Sequence, residues 1–333
     1  MTSDTPRHAW LDYARLLSLV LIVLLHAQPR MLCVAVGILA TFFGSSGCLF
    51  DSSRYATFGA YLRHRVRSMA VPYFAFYAIC YALWLAIGRR WDAGVDATVP
   101  LWQWLMGLPK AYPLVVVAQF WFLTCMLSMQ LIYYWIDRTR RVWRWMPIVL
   151  SVMLSAVAAL CPGTEHLNFW NINYAMLYMP FFAVGHCLRP CIADGVRIKW
   201  WHGLLMAAVA VTLLTRVAPQ VASPDWRSLV LIAGGMASIV PVAAVATWLS
   251  RQMGRNRVVE LMATCGVVCL ALQNYCIGAL RVVVIHVWPG IDVMGWPVSV
   301  AIAVITLVAV GVASLVISRY APWLIGRRSG KKW

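Results

Sequence analysis

The chain has 333 residues, of which 62% are hydrophobic and only 12% charged, and its net charge is +17. With a mean hydropathy of +0.75, this excludes a soluble domain and points to an integral membrane protein. The basic residues lie mostly in the connections between apolar segments, where they set topology and meet anionic headgroups rather than nucleic acid.

Residues 7–27, RHAWLDYARLLSLVLIVLLHA, run from a basic, partly polar entrance into the first apolar helix, expected over about 12–27. Eleven steps separate Arg15 from His26, which returns to within roughly 20° of the same face and about 16 Å along the axis. Asp12 lies one turn below Arg15, within pairing reach. Ionisable groups on an apolar helix usually face a bundle interior or a wet cavity. The alternative is a signal-anchor helix with snorkelling ends and a satisfied histidine. The segment also imitates a signal peptide, but Leu25 is poor near a cleavage site, so it is kept as helix one.

The second segment, 31–50, ends in Gly44-Ser45-Ser46-Gly47. Such a patch admits either a ligand or a tightly packed helix. A basic segment follows at 51–70, with Arg54, Arg63, His64, Arg65 and Arg67. Helix three is expected from Val71 to Ile87, with Pro72 harmless at its start. Residues 89–113 read as the longest loop, rich in tryptophan (Trp91, Trp102, Trp104). Later segments are expected at 114–136, 145–161, 175–188, 200–216, 228–249, 260–285 and 298–318, which makes about ten spans in all. With both termini cytoplasmic, 20 Lys and Arg fall on the inner side and 7 on the outer, as the positive-inside rule requires.

The ten cysteines contain no C-x-x-C pair. They read as small buried residues, so no metal is expected. His8, His64 and His202 lie near inner loops, His166 and His286 near outer ones, and His186 closes the sixth segment beside Arg189. The loop 162–174 carries Glu165, His166, Asn168, Asn171 and Asn173 among Phe169, Trp170 and Tyr174. Aromatic rings beside amides suit sugar binding, and equally an ordinary interfacial loop.

Several motifs in order resemble the membrane-bound acyltransferase-3 family of sugar and glycan O-acyltransferases. Arg15 and His26 match its Arg-x10-His signature, and Phe42-Phe43-Gly44-Ser45-Ser46-Gly47 matches FFxxSG. Tyr61-Leu62-Arg63-His64-Arg65-Val66-Arg67 with Pro72-Tyr73 is similar to its basic loop, Phe120-Trp121-Phe122-Leu123 to its WFL, and Phe181-Phe182-Ala183-Val184-Gly185-His186 to a later segment. The departures are Cys48 for an aromatic, Met126 for a glutamate of some members, and Gln273 for a frequent histidine.

The resemblance implies one transmembrane acyltransferase domain over residues 1–333 in a bacterial inner membrane. It also implies transfer of an acyl group, usually acetyl, from cytoplasmic acetyl-CoA to a hydroxyl of a lipid-linked or exported glycan. His26 is then the general base or a transient acyl carrier, with Arg15 and Asp12 completing the catalytic set. Arg63, Arg65, Arg67, Ser46 and Gly47 are the candidates for holding the donor, and Trp121, Gln273 and Asn171 for the acceptor. Membrane lipids and polysaccharide-synthesis machinery are the further partners. Competing readings are a glycan or lipid transporter, against which the absence of an internal repeat counts, and a relative that has lost activity.

Overall fold

The computed structural model describes residues 9–90, 94–107, 119–161, 169–193 and 198–326, with the backbone alone for 189–193. No strand occurs among the described residues. In chain order the helices are α1 (Ala9–Ala27), α2 (Ala35–Cys48), α3 (Phe58–Arg65), α4 (Val71–Ala86), α5 (Thr98–Met106), α6 (Trp121–Ile136), α7 (Met146–Leu160), α8 (Ile172–Leu177), α9 (Met179–Ala193), α10 (Trp200–Thr212), α11 (Ala218–Gln220), α12 (Pro224–Met253), α13 (Arg257–Thr264), α14 (Gly266–Val287) and α15 (Trp296–Tyr320).

Among the described residues, seven helices are long and apolar enough to cross a membrane: Ala9–Ala27, Pro29–Cys48, Phe58–Ala86, Trp200–Gln220, Pro224–Met253, Gly266–Val287 and Trp296–Tyr320. The other expected segments coincide with α6, α7 and α9, which are shorter at 16, 15 and 15 residues.

Several boundaries differ from the sequence expectation. The basic segment 51–70 is largely helix, not loop. Thr57 caps α3 by accepting the Ala60 N–H, and one π-helical turn, Val66–Ala70, joins α3 to α4. That wider turn sits just before Pro72, whose ring would otherwise press on the preceding turn. The long loop 89–113 contains α5. The sixth segment is broken at Tyr178, and the ninth at Cys265.

Polar contacts define two ends of the bundle. At the basic end, Tyr13 donates to the Gly254 carbonyl and Ser52 to Asp137. At the other end, Arg281 meets the last carbonyls of α1, and Tyr77 donates to the Pro100 carbonyl.

Small residues let α2 approach its neighbours closely. A Cβ built on Gly47 would lie 2.0 Å from the Phe182 carbonyl oxygen, and one on Gly185 would lie 2.0 Å from the Gly44 carbonyl oxygen. Both obstacles are backbone, so α2 and α9 touch main chain to main chain, as small residues allow between membrane helices. The Cys48 thiol donates to the Gly185 carbonyl across the same contact, at 3.1 Å. Nearer the start of α2, a Cβ on Gly37 would collide with the Ser238 hydroxyl of α12.

Gly47→Ala and Gly185→Ala are therefore expected to destabilise by about 2 kcal/mol or more, since neither helix can yield without moving whole. Gly94→Ala, whose Cβ would meet nothing within 4 Å, is the control. Thermal denaturation of the full chain in detergent checks this.

Candidate functional site

α1 is continuous from Ala9 to Ala27, so the stripe from Arg15 to His26 is preserved. Asp12 is buried, at 6% exposure, and Arg15 and His26 are half-buried. Asp12 and Arg15 both have interaction partners. The Asp12 carboxylate also acts on Arg255 at the basic end, adding to the larger effect of Glu260 in raising that guanidinium.

The His26 ring is oriented by its own helix. Nδ1 lies 2.7 Å from the Ile22 carbonyl oxygen. A carbonyl can only accept, so Nδ1 carries the proton and donates it. In the neutral ring, Nε2 then keeps its lone pair.

The helix end that carries this ring is held from outside. Arg281 of α14 donates through Nη2 to the Ala27 carbonyl at 3.0 Å and to the His26 carbonyl at 3.4 Å. These carbonyls have no partner within the helix, and a cation there is worth about 0.3–1 kcal/mol, up to ~2 when partly buried. The next residue, Gln28, is fully buried and donates to the Met294 carbonyl at 2.7 Å. Sequence reading counted Arg281 only as an outer-side charge.

The motif-bearing helices meet around α2. The hydroxyls of Ser18 on α1 and Thr41 on α2 lie 2.8 Å apart. Phe42 and Phe43 pack on Phe122 of α6, with ring centroids 5.2 and 5.0 Å apart. Phe43 also stacks on Tyr178, just before α9, at 5.6 Å. Trp121 is half-buried and packs on Tyr174 and Tyr178 at 5.4 and 6.3 Å.

A largely apolar cavity of about 290 Å³ lies beside this assembly. It runs from Trp10 and Arg251 at the basic end to Thr41 and Ile239. Its α2 wall is Thr41, Gly44, Ser45 and Cys48. The predicted pair Ser46 and Gly47 is placed otherwise: Ser46 is half-buried outside that wall, and Gly47 is spent on the backbone of α9.

Of the predicted arginines, Arg63 and Arg67 lie one turn apart on about the same face, and Arg65 is set off from both. Positions 63, 65 and 67 fall on α3 and the turn after it, so Arg65 points roughly 200° away from Arg63. Arg63 and Arg67 are exposed, while the Arg65 guanidinium lies 5.1 Å from the centre of the Tyr61 ring.

The two predicted amides are both enclosed. Asn171, 3% exposed, donates through Nδ2 to the Gly107 carbonyl and to the Thr124 hydroxyl, each at 2.7 Å. Its φ is 54°, a left-handed value that asparagine tolerates. It clasps α5, α6 and α8 together. Glu165, His166 and Asn168 of the same loop lie outside the described residues. Gln273, at 0% exposure, accepts from the Cys269 thiol at 3.5 Å, and its Nε2 has no hydrogen-bond partner.

Sequence reading also gave little weight to a polar cluster at the basic end. His186 of α9 is 5% exposed, and its Nδ1 lies 3.1 Å from the Tyr133 hydroxyl, 3.2 Å from Arg140 Nη2 and 3.5 Å from an Asp137 oxygen. The signal for it was a histidine inside an apolar helix, together with the tract DRTRR.

Asn171→Ala is expected to cost about 1–3 kcal/mol, because it removes the donor to the buried Gly107 carbonyl and to the Thr124 hydroxyl. Gln273→Met, which removes a buried donor without a partner, is expected to be neutral or stabilising. Unfolding midpoints of the two variants, measured side by side, should move in opposite senses or leave Gln273→Met unmoved.

The family model described as an acyltransferase domain matches residues 8–317, nearly the whole chain. No curated protein and no solved structure matches it. The matched span runs from the base of α1 almost to the end of α15 and takes in the Arg15–His26 stripe, the α2 patch and the α6 and α9 motifs. The chain thus belongs to the membrane acyltransferase-3 family.

Proposed function

We propose that this acyltransferase moves an acyl group, acetyl in the first instance, from cytoplasmic acyl-CoA to a hydroxyl of a lipid-linked or exported glycan. The observation that carries the proposal is the His26 ring. Its Nδ1 proton is committed to the Ile22 carbonyl, which leaves Nε2 as a fixed lone pair at the end of the bundle away from the arginine-rich turns.

A sugar hydroxyl is a weak nucleophile near neutral pH and needs a base. Nε2 takes the hydroxyl proton as the oxygen attacks the thioester carbonyl. The C–S bond then breaks, and the thiolate of CoA recovers a proton. Such a base contributes about 10²–10⁴-fold. A transient acyl-imidazole at Nε2 uses the same lone pair in two steps. Arg281 keeps the end of α1 from fraying and so holds the ring in place. Arg15 and Asp12 form the lower part of the stripe. The cavity beside Gly44 and Ser45, with Arg251 near its entrance, supports entry of the donor from the basic end. Half-buried Trp121 supplies a ring face for the acceptor.

Ten spans with both termini cytoplasmic, in a bacterial inner membrane, fit the split of 20 inner to 7 outer basic residues. α6, α7 and α9 then complete the set of seven longer helices.

The test is glycan O-acetyl content in a deletion strain carrying intact protein, His26→Ala or no protein. Intact protein should restore acetylation, and His26→Ala should reduce it about 10²–10⁴-fold. Normal acetylation with His26→Ala would unseat the base, and normal acetylation without the protein would unseat the whole reading. Rapid quenching with labelled acetyl-CoA separates the routes, because only the carrier route leaves label on the protein. Arg281→Gln should lower kcat more than it raises KM, since it disturbs the ring's position rather than the donor's grip.

A further inference from the structure

We infer that the cleft between α2, α6 and α9 at the basic end is a binding site for the headgroup of an anionic phospholipid. The cleft has a volume of about 610 Å³ and a mainly polar lining, which includes Ser52, Asp137, Arg138, Arg140, Arg141 and His186. This inference stands apart from the transfer reaction.

The charge balance inside the cleft favours an anion. Asp51 is tied to Arg54 at 3.0 Å and accepts from Ser53. Asp137 accepts from Ser52 at 2.6 Å, with His186 at 3.5 Å and Arg140 at 3.9 Å. Each carboxylate is therefore matched by a guanidinium, and Arg138 and Arg141 remain as excess positive charge. Arg138 is also pre-positioned. Its Nη1 donates to the Tyr134 carbonyl at 2.9 Å, and its guanidinium lies 3.8 Å from the centre of the Tyr134 ring. A cation held flat on an aromatic ring loses little further freedom when it takes a phosphate. The Nε of Arg140 is buried and has no hydrogen-bond partner.

The same phosphate chemistry occurs in the nucleotide end of CoA, but two features favour a lipid. Behind His186 the cleft is backed by a packed layer of Phe50, Tyr61, Tyr133 and Phe182, each no more than 1% exposed. Phe50 packs edge-on against Tyr61, Tyr133, Phe182 and His186. A pantetheine arm starting here meets that packed aromatic layer. The rim, in contrast, is apolar and exposed: Trp135 at 55%, Val142 at 82% and Trp143 at 50%. Tryptophans at helix ends sit at the headgroup level, and basic pockets between membrane helices take anionic headgroups. The rim thus offers acyl chains a surface beside the site that would hold their phosphate.

The experiment is native mass spectrometry of the full-length protein in detergent, with phosphatidylglycerol and phosphatidylcholine in competition. The wild type should retain phosphatidylglycerol in preference. Each arginine near a charged membrane surface is worth about fivefold in affinity, so Arg138→Gln/Arg141→Gln should lose about 20- to 30-fold. Arg141→Gln alone alters an exposed side chain and should lose about fivefold. Arg63→Gln/Arg67→Gln, which removes two exposed arginines elsewhere, should keep the preference. No preference in the wild type, or equal loss in both double variants, would overturn the proposal. So would displacement of phosphatidylglycerol by free CoA that depends on Arg138 and Arg141, because the site would then belong to the donor.

Discussion

The contact on which the rest of the structure depends is the one between the backbones of α2 and α9. Membrane helices gain little from hydrophobicity against one another, so close van der Waals fit has to hold them. Gly44 and Gly47 supply that fit on α2, and Gly185 supplies it on α9. With no side chain between the helices, Phe43, Phe122 and Tyr178 close into one aromatic layer. Beside the same contact, Thr41, Gly44, Ser45 and Cys48 form the α2 wall of the apolar cavity, with Val184, Gly185 and Leu188 of α9 also in its lining. Cys48 fits this position because it is small enough to line the cavity and still donate to the Gly185 carbonyl.

From that anchored α2, order passes to α1 through the Ser18–Thr41 contact, and then along α1 to His26. The far end of α1 is held separately, by Arg281 from α14 and by Gln28 reaching toward α15. The imidazole is therefore fixed from both directions. Its tautomer is set locally by Ile22, and its height in the bundle by the cap beyond it. Precise placement of a base matters because small misplacements from attack geometry cost large factors in rate. For the base proposed at His26, a helix pinned at both ends supplies that placement.

Much of this was legible in the sequence, for a physical reason. Long apolar runs must become helices where no water satisfies the backbone, so among the described residues each expected segment is largely helical, with breaks at Tyr178 and Cys265. The Arg15–His26 stripe followed from helical periodicity alone, and one unbroken helix carries both residues. Boundaries failed where polar residues continued a helix. Residues 58–70 look like a loop because they are charged, yet Thr57 caps them and a π turn carries them past Pro72. Burial of the amides was not legible. Asn171 and Gln273 look like free amides in one dimension, but tertiary packing encloses both. His186 was noted beside Arg189, but its partners were not legible, because they come from the end of α6 and the turn after it, about fifty residues earlier in the chain.

The distribution of arginine makes the larger point about the net charge of +17. A basic residue counts toward binding only if the fold leaves its charge uncommitted. Arg54 and Arg140 neutralise aspartates, and Arg255 is paired with Glu260. Arg281 is spent on the end of a helix. Arg65 lies against Tyr61, away from its two sequence neighbours. A basic end that reads as uniformly positive is thus divided into structural ties and exposed cations, and two of the latter, Arg138 and Arg141, lie where the protein has already balanced its own acids. The composition can announce an attraction to anions. Only the pairing of each guanidinium determines where on the surface that attraction becomes a site.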